Sequence, residues 1–317
     1  MSSQYRVVVA NNIEDFIAKK SRFINHCYQI DKGPFWGKTE ILYDSALTFT
    51  RRTINCTILE RGRAPSNLRG FTLHSTNNKF IRSGVSFSAG DISVSCSGDA
   101  FITFIRSGCV YHSLMVNDQF AKKLLSEREW TIYQQINAKN RSVIVRNSLE
   151  YTNIAALLDN TLDDLANGSL VDTQLKAIGH IQQKLLKNLV LMIDTAVVEK
   201  PRSNATHRLL YKASKVVLDT RIKAITVEDL ASRVNTSRRN LEHVFQSTLG
   251  ISPKQFILSV RMNRVRKDLL HKVNVSTAGI AKHYGISHLG HFSNAYKALF
   301  NELPSETRGR AAGLLQA

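Results

Sequence analysis

The spacing of hydrophobic and polar positions changes character twice along the chain. From about residue 41 to 110, apolar and polar residues alternate, or Val, Ile, Thr and Phe crowd into short runs. These are "ILYDSALTFT", "TINCTILE", "GFTLHS", "ISVSCSG" and "AFITFIR". Alternation with a period of two sends successive side chains to opposite faces of a strand, and the turn residues of "RGRAPSNLRG" and "STNN" punctuate the runs. "SAGD" at 88–91 reads as a hairpin turn. Short, evenly spaced strands predict a small barrel or sandwich. After residue 117 the period becomes helical, first in "DQFAKKLLSEREWTIYQQI" and then from Val171 to about Val198. There Leu175, Ile178, Leu185, Leu189 and Met192 recur near 3.6-residue spacing, predicting a helix packed on the barrel, on its twin in a second subunit, or on both. "EKPRSNA" at 199–205 reads as a linker.

Beyond that linker the pattern is helical and repeats. "VEDLASRVNTSRRNLEHVFQSTLG" (227–250) and "TAGIAKHYGISHLGHFSNAYKALF" (277–300) share one plan. A short helix carries Leu230-Ala231 or Ile280-Ala281, a tight turn follows, and a longer helix brings in Phe245 or Tyr296. Two helices meeting across a short turn predict a helix-turn-helix unit, with the small alanines allowing a close crossing. Ser237 is placed to cap the longer helix. Leu241 and Phe245 in the first unit, and Gly285, Phe292 and Tyr296 in the second, complete the structural set. Between the units, "SPKQFILSVRMNRVRKDLL" (252–270) predicts one connecting helix.

With the apolar faces turned inward, the outward residues become candidates for contact. In the first unit they are Arg238, Arg239, Asn240, Glu242, His243 and Gln246. In the connecting helix they are Lys254, Arg261 and Arg264. In the second unit they are His288, Gly290, His291, Asn294 and Lys297. Arg, Gln and His match the donors and acceptors of a DNA major groove. Glu242 can accept from cytosine or orient Arg238 or Arg239, and Arg261 can serve packing instead. Gly290 is the odd member, because glycine inside a helix costs about 1 kcal/mol against alanine. Either something approaches its backbone closely, or it relieves crowding against the neighbouring helix.

Charge strengthens this picture. The 317 residues hold 43 Lys+Arg against 25 Asp+Glu, a net +18 and an isoelectric point near 9.9. Residues 201–317 contain 19 basic and 7 acidic side chains, so +12 of that charge sits in the last 117 residues. A basic C-terminal third predicts a polyanionic partner, nucleic acid ahead of membrane, since no apolar run approaches the ~18 residues needed to span a bilayer. The N-terminal residues lack the layout of a signal peptide, so the expected location is the cytoplasm. Cys27, Cys56, Cys96 and Cys109 follow no CxxC spacing and predict reduced, partly buried thiols. The pair His288 and His291 lacks an evident third ligand, and His74 and His112 are single; no metal or cofactor is expected. No Ser/His/Asp or activated-cysteine set points to catalysis, so the chain is not expected to be an enzyme.

The C-terminal residues resemble the AraC/XylS family of bacterial transcription regulators over about 205–308. The likeness is carried by Leu230-Ala231, Ser237, Leu241, Phe245, Gly250, Ser252-Pro253, Phe256, Arg261-Met262, Leu269-Leu270, Ile280-Ala281, Gly285, Phe292, Tyr296-Lys297, Phe300 and Pro304 through Arg308. Glu302 departs from the glycine usual there. "SHLGHFSNAYKALFNELPSETR" most resembles the regulators of ethanolamine-utilisation operons. The resemblance implies an α+β protein in three parts. Residues 1–170 would form a sensory, β-rich, cupin-like barrel with helices, 171–204 a helical connector and linker, and 205–310 an all-α domain of two helix-turn-helix units joined by a linker helix. It further implies a nucleoid-associated, sequence-specific regulator, an activator in the first instance. Its partners would be promoter DNA, RNA polymerase, a small-molecule effector of unspecified identity and a second copy of the chain. Two other readings compete: a ligand-independent architectural DNA binder, and an enzyme with a DNA-targeting domain.

Overall fold

The computed structural model describes residues 4–18, 24–43, 47–64, 67–75, 80–96, 98–139, 149–167, 183–191, 194, 203–220, 225–272, 274–286 and 288–314. Eleven strands and one short helix come first among them: β1 (Gln4–Ala10), α1 (Ile13–Ala18), β2 (Ile24–Gln29), β3 (Gly37–Tyr43), β4 (Leu47–Ile54), β5 (Ile58–Arg63), β6 (Leu68–His74), β7 (Phe80–Arg82), β8 (Val85–Phe87), β9 (Ile92–Ser95), β10 (Ala100–Ile105) and β11 (Val110–Asn117). They form two antiparallel sheets, ordered β1-β3-β4-β11-β6-β9 and β2-β5-β10-β7-β8. Of the two architectures the spacing allowed, the described strands give the open, two-sheet one; no closed barrel forms among them.

Several sequence runs divide differently from expectation. "ILYDSALTFT" is two strands, the end of β3 and the start of β4, paired Leu42 to Phe49 and Tyr43 to Thr48. "TINCTILE" likewise spans the end of β4 and the start of β5. "SAGD" is a tight turn, with Gly90 at φ +87° and the Ser88 N–H donating to Asp91 Oδ2 at 2.7 Å, but it does not close a hairpin. It carries the chain from β8 in one sheet to β9 in the other. The tight hairpin nearby is β7–β8, turned by Ser83 (φ 48°) and Gly84 (φ 85°). Strands β1, β2 and β11, and helix α1, lie outside the 41–110 window read as strands.

The alternation along the strands places apolar side chains on the outer faces of both sheets. Leu42, Phe49, Phe71, Leu73, Val94 and Leu114 point away from the second sheet and are covered by four helices. These are α2 (Asp118–Leu124), α3 (Glu127–Lys139), α4 (Leu149–Ala166) and α5 (183–191). Leu185 and Leu189 pack into this layer, as expected for a helix on the sheet, while Leu175, Ile178 and Met192 lie outside the described residues, as does most of the 199–205 linker. His112 on β11 stacks on Phe49 and bonds Asp159 of α4 at 2.8 Å, and His74 bonds Ser93 at 2.9 Å. All four cysteines are buried.

The C-terminal helices are α6 (Ala205–Asp219), α7 (Val227–Arg233), α8 (Arg238–Leu249), α9 (Pro253–His271), α10 (Thr277–His283), α11 (Leu289–Phe300) and α12 (Pro304–Leu314). The outer face of the second sheet, through Leu59, Ile81, Ile102 and Phe104, shares one core with α6–α9. Phe104 meets Phe256 with ring centroids 6.0 Å apart. Polar ties reinforce the contact. Asn263 accepts from the Gln29 N–H at 2.8 Å and donates to its carbonyl at 2.9 Å, and Arg61 pairs with Asp219 at 2.6 Å. Buried Arg266 pairs with Glu14 of α1 (2.8 Å) and with Glu302 (2.5 Å), so Glu302, which departs from the family pattern, holds the arginine that ties the C-terminal helices to α1. None of the described helices is long and apolar enough to cross a membrane.

Candidate nucleic-acid interface

Two helix-turn-helix units are built by the same local physics. In the first, a capping box between Thr226 and Asp229 starts α7, whose Leu230 and Ala231 are buried. The turn requires a left-handed residue, and Asn235 supplies it at φ 55°; asparagine tolerates this region better than other side-chain-bearing residues. The Thr236 N–H then donates to the Ala231 carbonyl at 3.0 Å. Ser237 caps α8 by accepting from the Asn240 N–H at 3.1 Å, as its position suggested. Leu241, Val244 and Phe245 face inward, with Phe245 against Phe256 at 5.1 Å.

The second unit repeats most of these steps, although α11, preceded by His288, has no side-chain cap like that of Ser237. Ser276 caps α10, Ile280 and Ala281 are buried, and Gly285 at φ 73° takes the role of Asn235. The Ile286 N–H donates to the Ala281 carbonyl at 3.0 Å, matching the bond from Thr236. Its turn runs one residue longer, so α11 starts at Leu289 where α8 starts at Arg238. Phe292, Tyr296, Leu299 and Phe300 face inward, and the Tyr296 hydroxyl meets Thr307 Oγ1 at 2.7 Å.

With the two helices aligned from their first residues, the outward stripes correspond. Arg239, Glu242, His243 and Gln246 of α8 match Gly290, Ser293, Asn294 and Lys297 of α11, and Asn240 matches His291. All of these except half-buried Ser293 are exposed. Apart from Gly290's chain neighbours and the backbone of its own helix, no described atom lies within 4 Å of where a Cβ on Gly290 would sit, so crowding against a neighbouring helix does not explain that glycine. The surface above the first turn of α11 is open, flanked by exposed His288 and His291 with ring centroids 6.4 Å apart.

Charge on this surface is partly committed. Arg238 pairs with Glu242 at 2.9 Å and with Glu228 at 2.5 Å, so Glu242 orients Arg238. Asn240 Nδ2 donates to Thr236 Oγ1 at 2.8 Å. Arg239, His243 and Gln246 are exposed beside them, and Lys254 is exposed in the first turn of α9. Arg264 is differently used: its guanidinium donates to the carbonyls of Thr220 (2.8 Å) and Leu218 (2.8 Å), closing the C-terminal end of α6. Arg261 donates to the Ile225 carbonyl at 3.0 Å, and burial lowers its pKa. Cations at the orphan carbonyls of a helix end are stabilising, and here Arg264 locks α6 to α9 while Arg261 ties α9 to the segment before α7. The sequence reading missed Asn235, although an Asn in "RVNTS" between two helices is itself a turn signal.

Comparison with known proteins agrees with this geometry. A family profile described as a helix-turn-helix domain matches residues 230–310. The HTH-type transcriptional regulator ArgR of Pseudomonas aeruginosa is 32% identical over 114 residues, 36% of this chain and 34% of that protein. The XylDLEGF operon transcriptional activator of Pseudomonas putida is 38% identical over 85 residues, 26% of each. The chain thus spans about a third or less of the length of these two relatives. Among solved structures, a transcriptional regulator with an AraC-type DNA-binding domain from Chromobacterium violaceum is 33% identical, covering 34% of this chain and 97% of that one, with a TM-score of 0.32. The repeated helix-turn-helix units, and the relatives that match this part of the chain, lead to one conclusion: residues 230–310 form an AraC-type helix-turn-helix domain.

Proposed function

We propose that this protein is a sequence-specific, DNA-binding transcription regulator, an activator, that inserts α8 and α11 into successive major grooves. The observation that carries the reading is the pair of matched, exposed stripes on two units built alike. Arg239, His243 and Gln246 on α8, with His288, His291, Asn294 and Lys297 on α11, are the base-reading and phosphate-contacting set. Gly290 lets the first turn of α11 approach the duplex. Arg238, aligned by Glu228 and Glu242, and Lys254 contact phosphates, and Asn240 supports the turn through Thr236. Arg264 holds α6 against α9, Arg261 holds the segment before α7 against α9, and both act on DNA only through that.

In this reading residues 1–170 form a cupin-like sensory domain, 171–204 the connector and 205–310 the DNA-binding domain. Promoter DNA, RNA polymerase and a second copy of the chain are its macromolecular partners, in the bacterial cytoplasm, and no residue is assigned a catalytic role. The activator role is supported by the P. putida relative, whose name describes an activator. The test is fluorescence anisotropy on a selected duplex and on a random one. Arg239→Ala and His291→Ala are expected to lower affinity for the selected duplex at least about tenfold and for the random duplex little, since a good bidentate base contact is worth about 1–3 kcal/mol. Equal losses on both duplexes refute base reading by these residues.

A further inference from the structure

The space between the two sheets is divided. Ile54 and Tyr111 of one sheet and Ile58, Phe80, Phe87 and Ile105 of the other share an apolar cluster, and beside it the inward residues of β4, β5, β7, β10 and β11 include hydroxyls and charges. The resulting cavity, about 70 Å³, is lined by Thr50, Arg52, Glu60, Arg82, Thr103 and Ser113 among others. The hydroxyls partly satisfy one another, with Thr50 and Ser113 at 2.6 Å. Among the lining side chains, two guanidinium groups face one carboxylate, Glu60, and Asp99 acts on Arg82 from outside the lining. Arg52 Nη1 reaches the Tyr111 hydroxyl at 3.3 Å, but its buried Nε meets no hydrogen-bond partner. Arg82 lies over the Phe101 ring at 4.4 Å, and burial pushes its guanidinium down to about 10. A buried, uncompensated cation lowers stability unless something completes it.

We propose that this cavity binds a small monocarboxylate, its carboxylate taken up by Arg52 and Arg82 and its short carbon chain lying against Phe80 and Phe101. One negative charge neutralises the surplus over Glu60, and the planar guanidinium fork matches a carboxylate. The volume is roughly five times what one ordered water needs, which suits an acid of about two to four carbons. Thr50, Thr72, Thr103 and Ser113 offer hydroxyls to a hydroxy acid such as lactate. The proposal rests on reading the N-terminal domain as sensory and names the ligand class it senses. The site also lies close to the DNA-binding domain. Arg82 ends β7, and a Cβ on Gly84 in the following turn would sit 3.4 Å from Arg208 Cα of α6.

The experiment is thermal unfolding of the full chain in chloride-free buffer, titrated with acetate and lactate, and in parallel with acetamide, lactamide, chloride and phosphate. A saturable rise in Tm of about 5 °C is expected with a carboxylate and none with its amide. Arg52→Met and Arg82→Met are each expected to abolish the rise. Arg82→Met should also melt no lower than the ligand-free wild type, because it removes a charge that is costly to bury. If one variant loses its cooperative transition, the other and the amide comparison still decide. An equal rise with the amides, with chloride or with phosphate overturns the proposal, as does an undiminished rise in both variants. None of these readouts involves DNA, so failure of the anion site and failure of the regulator reading are separate results.

Discussion

At the scale of single residues, Gly290 concentrates the functional argument. Glycine gives up helix stability, and the open space around it removes packing as the compensation. Gly290→Ala is therefore expected to stabilise the free protein by up to about 1 kcal/mol, yet to weaken specific DNA binding at least about fivefold. A thermal melt and an anisotropy titration of the same preparation check both halves, and unchanged DNA affinity would contradict the close-approach account. Arg264 illustrates the opposite case, a cation whose charge suggested DNA but whose guanidinium is spent on α6 carbonyls. Arg264→Met should cost about 2 kcal/mol of stability, the worth of charge-assisted hydrogen bonds. Denaturant unfolding reads this directly, and a neutral effect would free Arg264 for contact with DNA.

At the scale of elements, the helix-turn-helix units were legible because their signals are local. The Leu-Ala and Ile-Ala pairs, the Ser237 cap, the inward Phe245 and Tyr296 and the left-handed Gly285 each report the conformation of their own few residues. The strands were less legible because pairing is non-local. Nothing within "ILYDSALTFT" marks the reversal between Tyr43 and Leu47, and only the partnership of β3 with β4 reveals it. β1 reads poorly because it is an edge strand with exposed Val7 and Val9. The role of Arg264 escaped for the same reason: the carbonyls that hold it lie more than 40 positions away. An element-scale prediction concerns Lys254 at the start of α9. Lys254→Ala should weaken binding to selected and random duplexes alike and reduce the slope of log affinity against log salt by about 1. A loss confined to the selected duplex would reassign Lys254 to base reading.

At the scale of the whole molecule, the sandwich and the DNA-binding domain are docked through a shared apolar core and through Arg266 with Glu14 and Glu302. Burial raises the Glu302 pKa, but hydrogen bonds from Arg310 and Thr307 and the field of Arg266 outweigh it and hold it below the ordinary value of 4.5. Its contribution to stability is thus present above about pH 4.5 and lost as the pH falls through its lowered folded-state value. Tm measured from pH 6 downward should fall less steeply in Glu302→Gln than in the wild type; parallel curves would show that this carboxylate does not govern the acid response. The central claim is that two units read DNA together, and the most direct measurement is selection of random duplexes by the purified full chain, followed by sequencing. The account predicts an enriched bipartite site whose two elements lie about 10–10.5 base pairs apart, one helical turn. Enrichment of no sequence, or of a single element insensitive to its flanks, would contradict it.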